Sequence, residues 1–150
     1  MASDAIATAS ILEVAGAVSY GQHPRHGGGH MITRVKFIGI PVRDQPAQLK
    51  FYTEKLGFEI LTDQPMGTQR WIELKIPRAE TCVVLFTPEG HESRVGTFVN
   101  CSLACDDVQK TYEELVARGV EFLRPPKAEP WGTYAMFKDA DGNQLVLSGK

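Results

Sequence analysis

The chain has 150 residues, with 16 Lys and Arg against 18 Asp and Glu and a formal net charge of −2. Hydrophobic residues make up 43%, enough for one core of ordinary size but not comfortably for two independent ones. The charges are well mixed and form no basic stripe, which argues against nucleic acid or an anionic membrane as partner, and no run reaches the ~18 apolar residues of a spanning helix.

Residues 1–30 read as a flexible N-terminal extension. Ala5 to Val18 is rich in alanine and lacks the basic start of a signal peptide. Gly21 to His30 is glycine-rich, so His23, His26 and His30 have no preformed geometry for a metal. The folded body is expected over residues 31–150, and Met31 stands where a natural start would fit.

From Arg34 the pattern becomes regular. Residues 34–42 alternate as a strand, with Ile38, Ile40 and Val42 on one face and Phe37, Gly39 and Pro41 on the other. Asp44 caps a helix whose apolar stripe is Leu49, Tyr52 and Leu56, and Gly57 stops it. Strands follow at 58–61, 70–76 and 82–87. The order then repeats. Residues 97–105 form a strand, Asp106 or Asp107 caps a helix with Val108, Tyr112, Leu115 and Val116 buried, and Gly119 ends it. After a strand at 120–123 comes a Pro-rich connection, a strand at 133–137, a turn at 139–143, and a last strand at 144–148. Asp44 and Asp107 lie 63 residues apart, whereas the segments 55–60 and 118–122 match at an offset of 62. Two βαβββ modules are therefore expected, at about 34–88 and 97–148. Each has one helix for one sheet face, leaving the other face for a second module or a cavity.

Cys82, Cys101 and Cys105 are odd in number and sit in apolar runs, which favours buried thiols in a reducing, cytoplasmic setting over a disulfide framework or a nucleophile.

Ile40-Pro41-Val42-Arg43-Asp44, residues 50–58, Trp131-Gly132 and residues 137–143 together resemble the vicinal oxygen chelate superfamily, which includes glyoxalase I, bleomycin-resistance proteins and extradiol dioxygenases. The resemblance implies an α+β fold in which paired βαβββ modules make a curved, incompletely closed eight-stranded barrel, within one chain or by exchange in a homodimer. In its metal-using members four ligands enter the cup. Carried over, those positions are Phe37, Leu85, Asn100 and Val146, none of which offers an imidazole or carboxylate. Neither a metal nor another cofactor is expected.

Strand parity places Phe37, Gly39, Trp71, Glu73, Lys75, Val83, Leu85 and Thr87 in the cup from the first module. From the second it places Asn100, Ser102, Ala104, Gln144, Val146 and Ser148 there, with Trp131 over one mouth. Phe37 and Trp71 offer stacking surfaces; Asn100, Ser102 and Gln144 offer hydrogen bonds. Three readings stay open. The first is metal-independent binding of a small aromatic or heterocyclic molecule. The second is a cofactor-free isomerase, lyase or hydrolase with Glu73 as acid or base. The third is a structural module whose Phe37, Leu85 and Val146 fill the cup. A wet strand edge, with Glu73 paired to Lys75 or Arg70, is the plain alternative to catalysis.

Overall fold

The computed structural model describes residues 31–150; the expectations for residues 1–30 lie outside them. The first module runs β1 (Phe37–Ile40), α1 (Gln45–Lys50) widening into a π-helical turn (Phe51–Lys55), β2 (Glu59–Met66), β3 (Gln69–Lys75) and β4 (Cys82–Leu85). The second runs β5 (Phe98–Ala104), α2 (Val108–Ala117), β6 (Glu121–Glu129), β7 (Gly132–Lys138) and β8 (Gln144–Gly149). Each makes a four-stranded mixed sheet, ordered β1-β4-β3-β2 and β5-β8-β7-β6, and the two sheets do not close on each other.

Local chemistry sets the helix ends in both copies. The Asp44 carboxylate accepts from Ala47 N at 2.9 Å, and that of Asp107, rather than Asp106, from Lys110 N at 2.9 Å. Gly57 and Gly119, both at φ +77°, take the left-handed conformation that ends each helix. Between cap and stop glycine the first helix carries one residue more than the second, and its π turn absorbs the extra residue. The slipped offset of the internal repeat is this turn.

Two strands run further than expected. β2 continues through Pro65, and β6 through Pro125 and Pro126, where a loop was expected. Both are outer strands, so a missing N–H falls where no ladder partner waits, and register shifts flank the β6 prolines. Val116 also departs from its expected burial, being 46% exposed on α2.

One apolar core joins the modules. It takes Ile40, Ile72, Leu74, Val83 and Leu85 from the helix side of the first sheet and Ala135, Phe137, Leu145 and Leu147 from that of the second. A polar clasp closes one side of this junction. The buried Asp139 carboxylate accepts from Tyr52 Oη at 2.9 Å, Asn143 Nδ2 at 2.8 Å, and the Asp141 and Asn143 amides at 3.0 Å each. Asn143 Nδ2 also donates to Pro41 O at 2.8 Å, while Asp141 Oδ2 accepts from Arg43 N at 2.6 Å. Burial first, then the Asp139 charge and hydrogen bond, push the Tyr52 hydroxyl well above its ordinary pKa. On the opposite side Arg78 of the corresponding β3–β4 turn lies 3.5 Å from Asp106, both exposed, and at the helix ends Lys55 Nζ donates to Gly119 O at 3.0 Å and Arg118 Nη1 to Lys55 O at 2.9 Å. There the junction opens into a cleft of about 780 Å³ lined by residues such as Ile38, Phe58, Val83, Leu103 and Leu147.

Candidate functional site

Register defines the face of the first sheet that turns away from the helices. Gly39 pairs with Val84, and Val84 with Glu73, so these three share that face. Phe37 and Trp71 lie on it by alternation. The rings of Phe37 and Trp71 meet edge to face at 5.5 Å, and Phe86 tilts against Trp71 at 5.7 Å. Trp71 is 1% exposed and belongs to a second apolar cluster with Val84, Phe37, Met66 and Phe86. Among the described residues its Nε1 has no hydrogen-bond partner. At Gly39, which is exposed, the space a Cβ would enter is open.

Leu85 requires a correction. It pairs with Ile40 and Ile72 in the helix-side core, as does Val83 by alternation, while Val84 and Phe86 take the cup face. All four residues of β4 are buried, so this central strand shows no alternation from which its faces can be read. Thr87, also expected in the cup, instead clasps the exit of β1: its hydroxyl accepts from Val42 N at 2.6 Å and lies 2.7 Å from Val42 O, to which it donates. Glu73 is not at a wet edge. It is fully buried in β3, an inner strand, and Arg70 pairs bidentately with Asp63, holding that carboxyl below its usual range.

On the second sheet Ser102 pairs with Val146 and Ala104 with Ser148, and the two serine hydroxyls are 2.7 Å apart. Asn100, Ser102 and Gln144 lie on this face, with Tyr134 and Met136 continuing it across β7. Along β5 this face is open, with Asn100, Ser102 and Ala104 exposed, while Gln144, Val146 and Tyr134 are half-buried. Trp131 sits in the β6–β7 hairpin, 68% exposed and stacked on Tyr134 at 5.5 Å. The chain thus presents two half-cups, one aromatic and one polar, both turned away from the junction. Val84, Phe86, Met66, Tyr134 and Met136 were missed by sequence reasoning; only a correct face for β4 would have found the first two. Cys101 and Cys105 face the core, and burial pushes the Cys101 thiol up, away from the thiolate a nucleophile needs.

Residues 29–147 match the Glyoxalase/Bleomycin resistance protein/Dioxygenase superfamily. The chain belongs to it. Relatives include YetH, an uncharacterized protein of Bacillus subtilis (strain 168), 38% identical over 121 residues that cover 78% of this chain and 98% of YetH. Among solved structures, TnmS3, an antibiotic binding protein from Streptomyces sp. CB03234, superposes with a TM-score of 0.73 at 35% identity, covering 81% of this chain and 98% of its own. A superfamily member from Sphaerobacter thermophilus DSM 20745 gives 0.74 at 36% identity, covering 81% of this chain and 100% of that one. Among the described residues no helix is long and apolar enough to cross a membrane.

Proposed function

We propose that this member of the superfamily binds a small aromatic or heterocyclic molecule, without a protein-bound metal, in a cup completed by a second copy of the chain. The carrying observation is the outward direction of both half-cups: the aromatic face around Trp71 and the exposed polar face around Ser102 cannot meet within one chain while their opposite faces share a core. A homodimer that sets the first sheet of one protomer against the second sheet of its partner makes two cups of mixed lining, apolar with a few polar groups, as ligand pockets usually are. The likeness to an antibiotic binding protein supports small-molecule binding as the purpose of such a cup.

The residues at the ligand positions of metal-using relatives do not fit a divalent ion. Phe37 and Val146 offer only carbon, Leu85 turns into the core with Val84 beside it, and the Asn100 carboxamide alone is a weak ligand. Among the described residues no three His, Cys, Asp or Glu side chains come together.

A native mass spectrum of protein purified without added metal tests this reading. A dimer that carries an organic mass, released on unfolding, is the expected result; a monomer, or a divalent ion retained in fixed stoichiometry, would overturn it. The complete burial of Glu73 on the cup face favours a second reading, in which its carboxyl moves a proton on the bound molecule. Glu73→Gln separates the two: a binding protein keeps its ligand unchanged, whereas an enzyme stops converting it.

A further inference from the structure

Among the described residues the Trp71 indole N–H is a buried donor with no acceptor, in a structure where most buried polar groups find partners. The ring cannot easily turn that edge to water, because Phe37 holds it edge to face and Phe86 packs on it at 5.7 Å. The side chains clustered with Trp71 — Phe37, Met66, Val84 and Phe86 — are apolar and supply no acceptor to the indole edge. Met66, Phe37 and Phe86 are themselves only half-buried, and methionine is a deformable cover that an incoming molecule can displace. On the same face Gly39 leaves open space where any other residue would carry a Cβ.

We infer that Trp71 selects the ligand: the cup takes a flat aromatic molecule carrying a carbonyl-type acceptor oxygen at its ring edge, and the Trp71 N–H donates to that oxygen. This rests on the cup being the binding site, and adds a chemical class to it. The aromatic cluster alone accepts any flat apolar ring. The unpaired donor discriminates, since a ligand without an acceptor leaves it buried and unmet.

Two probes of equal frame and charge test it on the full-length protein: 9-fluorenone-2-carboxylate and fluorene-2-carboxylate, which differ in the ring carbonyl. Calorimetric titration is expected to show the fluorenone binding roughly tenfold more tightly, about 1.4 kcal/mol, and Trp71→Phe should bring the two affinities together. Independently of any variant's folding, the Trp71 indole cross-peak in ¹⁵N spectra, assigned by its survival in Trp131→Phe, should shift with the fluorenone and not with the fluorene. Equal affinities for wild type, or a fluorenone preference that survives Trp71→Phe, overturns the donor role and leaves the cup standing. Binding of neither probe removes the aromatic cup, and the donor role with it.

Discussion

Gln48→Met should stabilise the protein, although it deletes a polar side chain from a helix. Gln48 is fully buried on α1, and among the described residues neither its Nε2 nor its Oε1 has a hydrogen-bond partner. A buried polar group left unmet costs about 1–3 kcal/mol, and this amide has one on each side. Methionine is unbranched, of similar length and flexible enough to fill the space, so imperfect repacking should cost under about 1.5 kcal/mol. The balance is a gain of about 2 kcal/mol. With a urea m value of about 2 kcal/mol/M, the midpoint should rise by about 1 M at unchanged m, measured at one fixed protein concentration so that dimerisation does not contribute. A midpoint lowered by a similar amount would refute the reasoning, because it would mean that both amide groups are satisfied in solution, by a buried water for instance.

Three further outcomes follow from the clasp and the half-cups. Asn143→Ala removes the hydrogen bonds to Pro41 O, Asp139 Oδ2 and Gly96 N, and should cost about 3 kcal/mol by urea denaturation; a loss below 1 kcal/mol would show that the turn does not hold the modules. Above about pH 10 the unfolded Tyr52 releases its proton while the folded one keeps it. Stability therefore falls as pH rises through that range towards the raised folded value, and the fall in urea midpoint between pH 9 and 11 should be shallower in Tyr52→Phe. Ser102→Glu combined with Ala104→Glu places charge on the exposed face of β5, so sedimentation should show a monomer with an unchanged circular dichroism spectrum, whereas an intact dimer would place the interface elsewhere.

What could be read in advance was local or periodic. Asp44, Asp107, Gly57 and Gly119 act on their own helices, so their residue types suffice to predict caps and stops. Alternation in β1 and in the Asn100–Ala104 stretch likewise separates core from cup, because one side of each is apolar. The same rule failed on β4, where Cys-Val-Val-Leu is buried on both sides and carries no phase. Pro125 and Pro126 predict a break because proline blocks a ladder, and only knowing that β6 is an outer strand removes the objection. The turn at 139–143 was legible as a turn, but not as the partner of Tyr52 and Pro41, since nothing in its composition points to residues nearly a hundred positions away.

The unequal fastening of the two modules has a mechanical consequence. On one side the buried Asp139 turn pins Tyr52, Pro41 and Arg43, while on the other the halves are joined by exposed groups, Arg78 with Asp106 beside the cleft and Lys55 with Arg118 and Gly119 at the helix ends. A body held by a buried clasp along one edge and by exposed contacts elsewhere gives way first at the exposed contacts, so a swing of one half against the other would pivot at Asp139–Asn143. Each half carries one of the two cup faces, and such a swing would alter the angle between them. A pivot there would let the chain adjust its curvature to a partner.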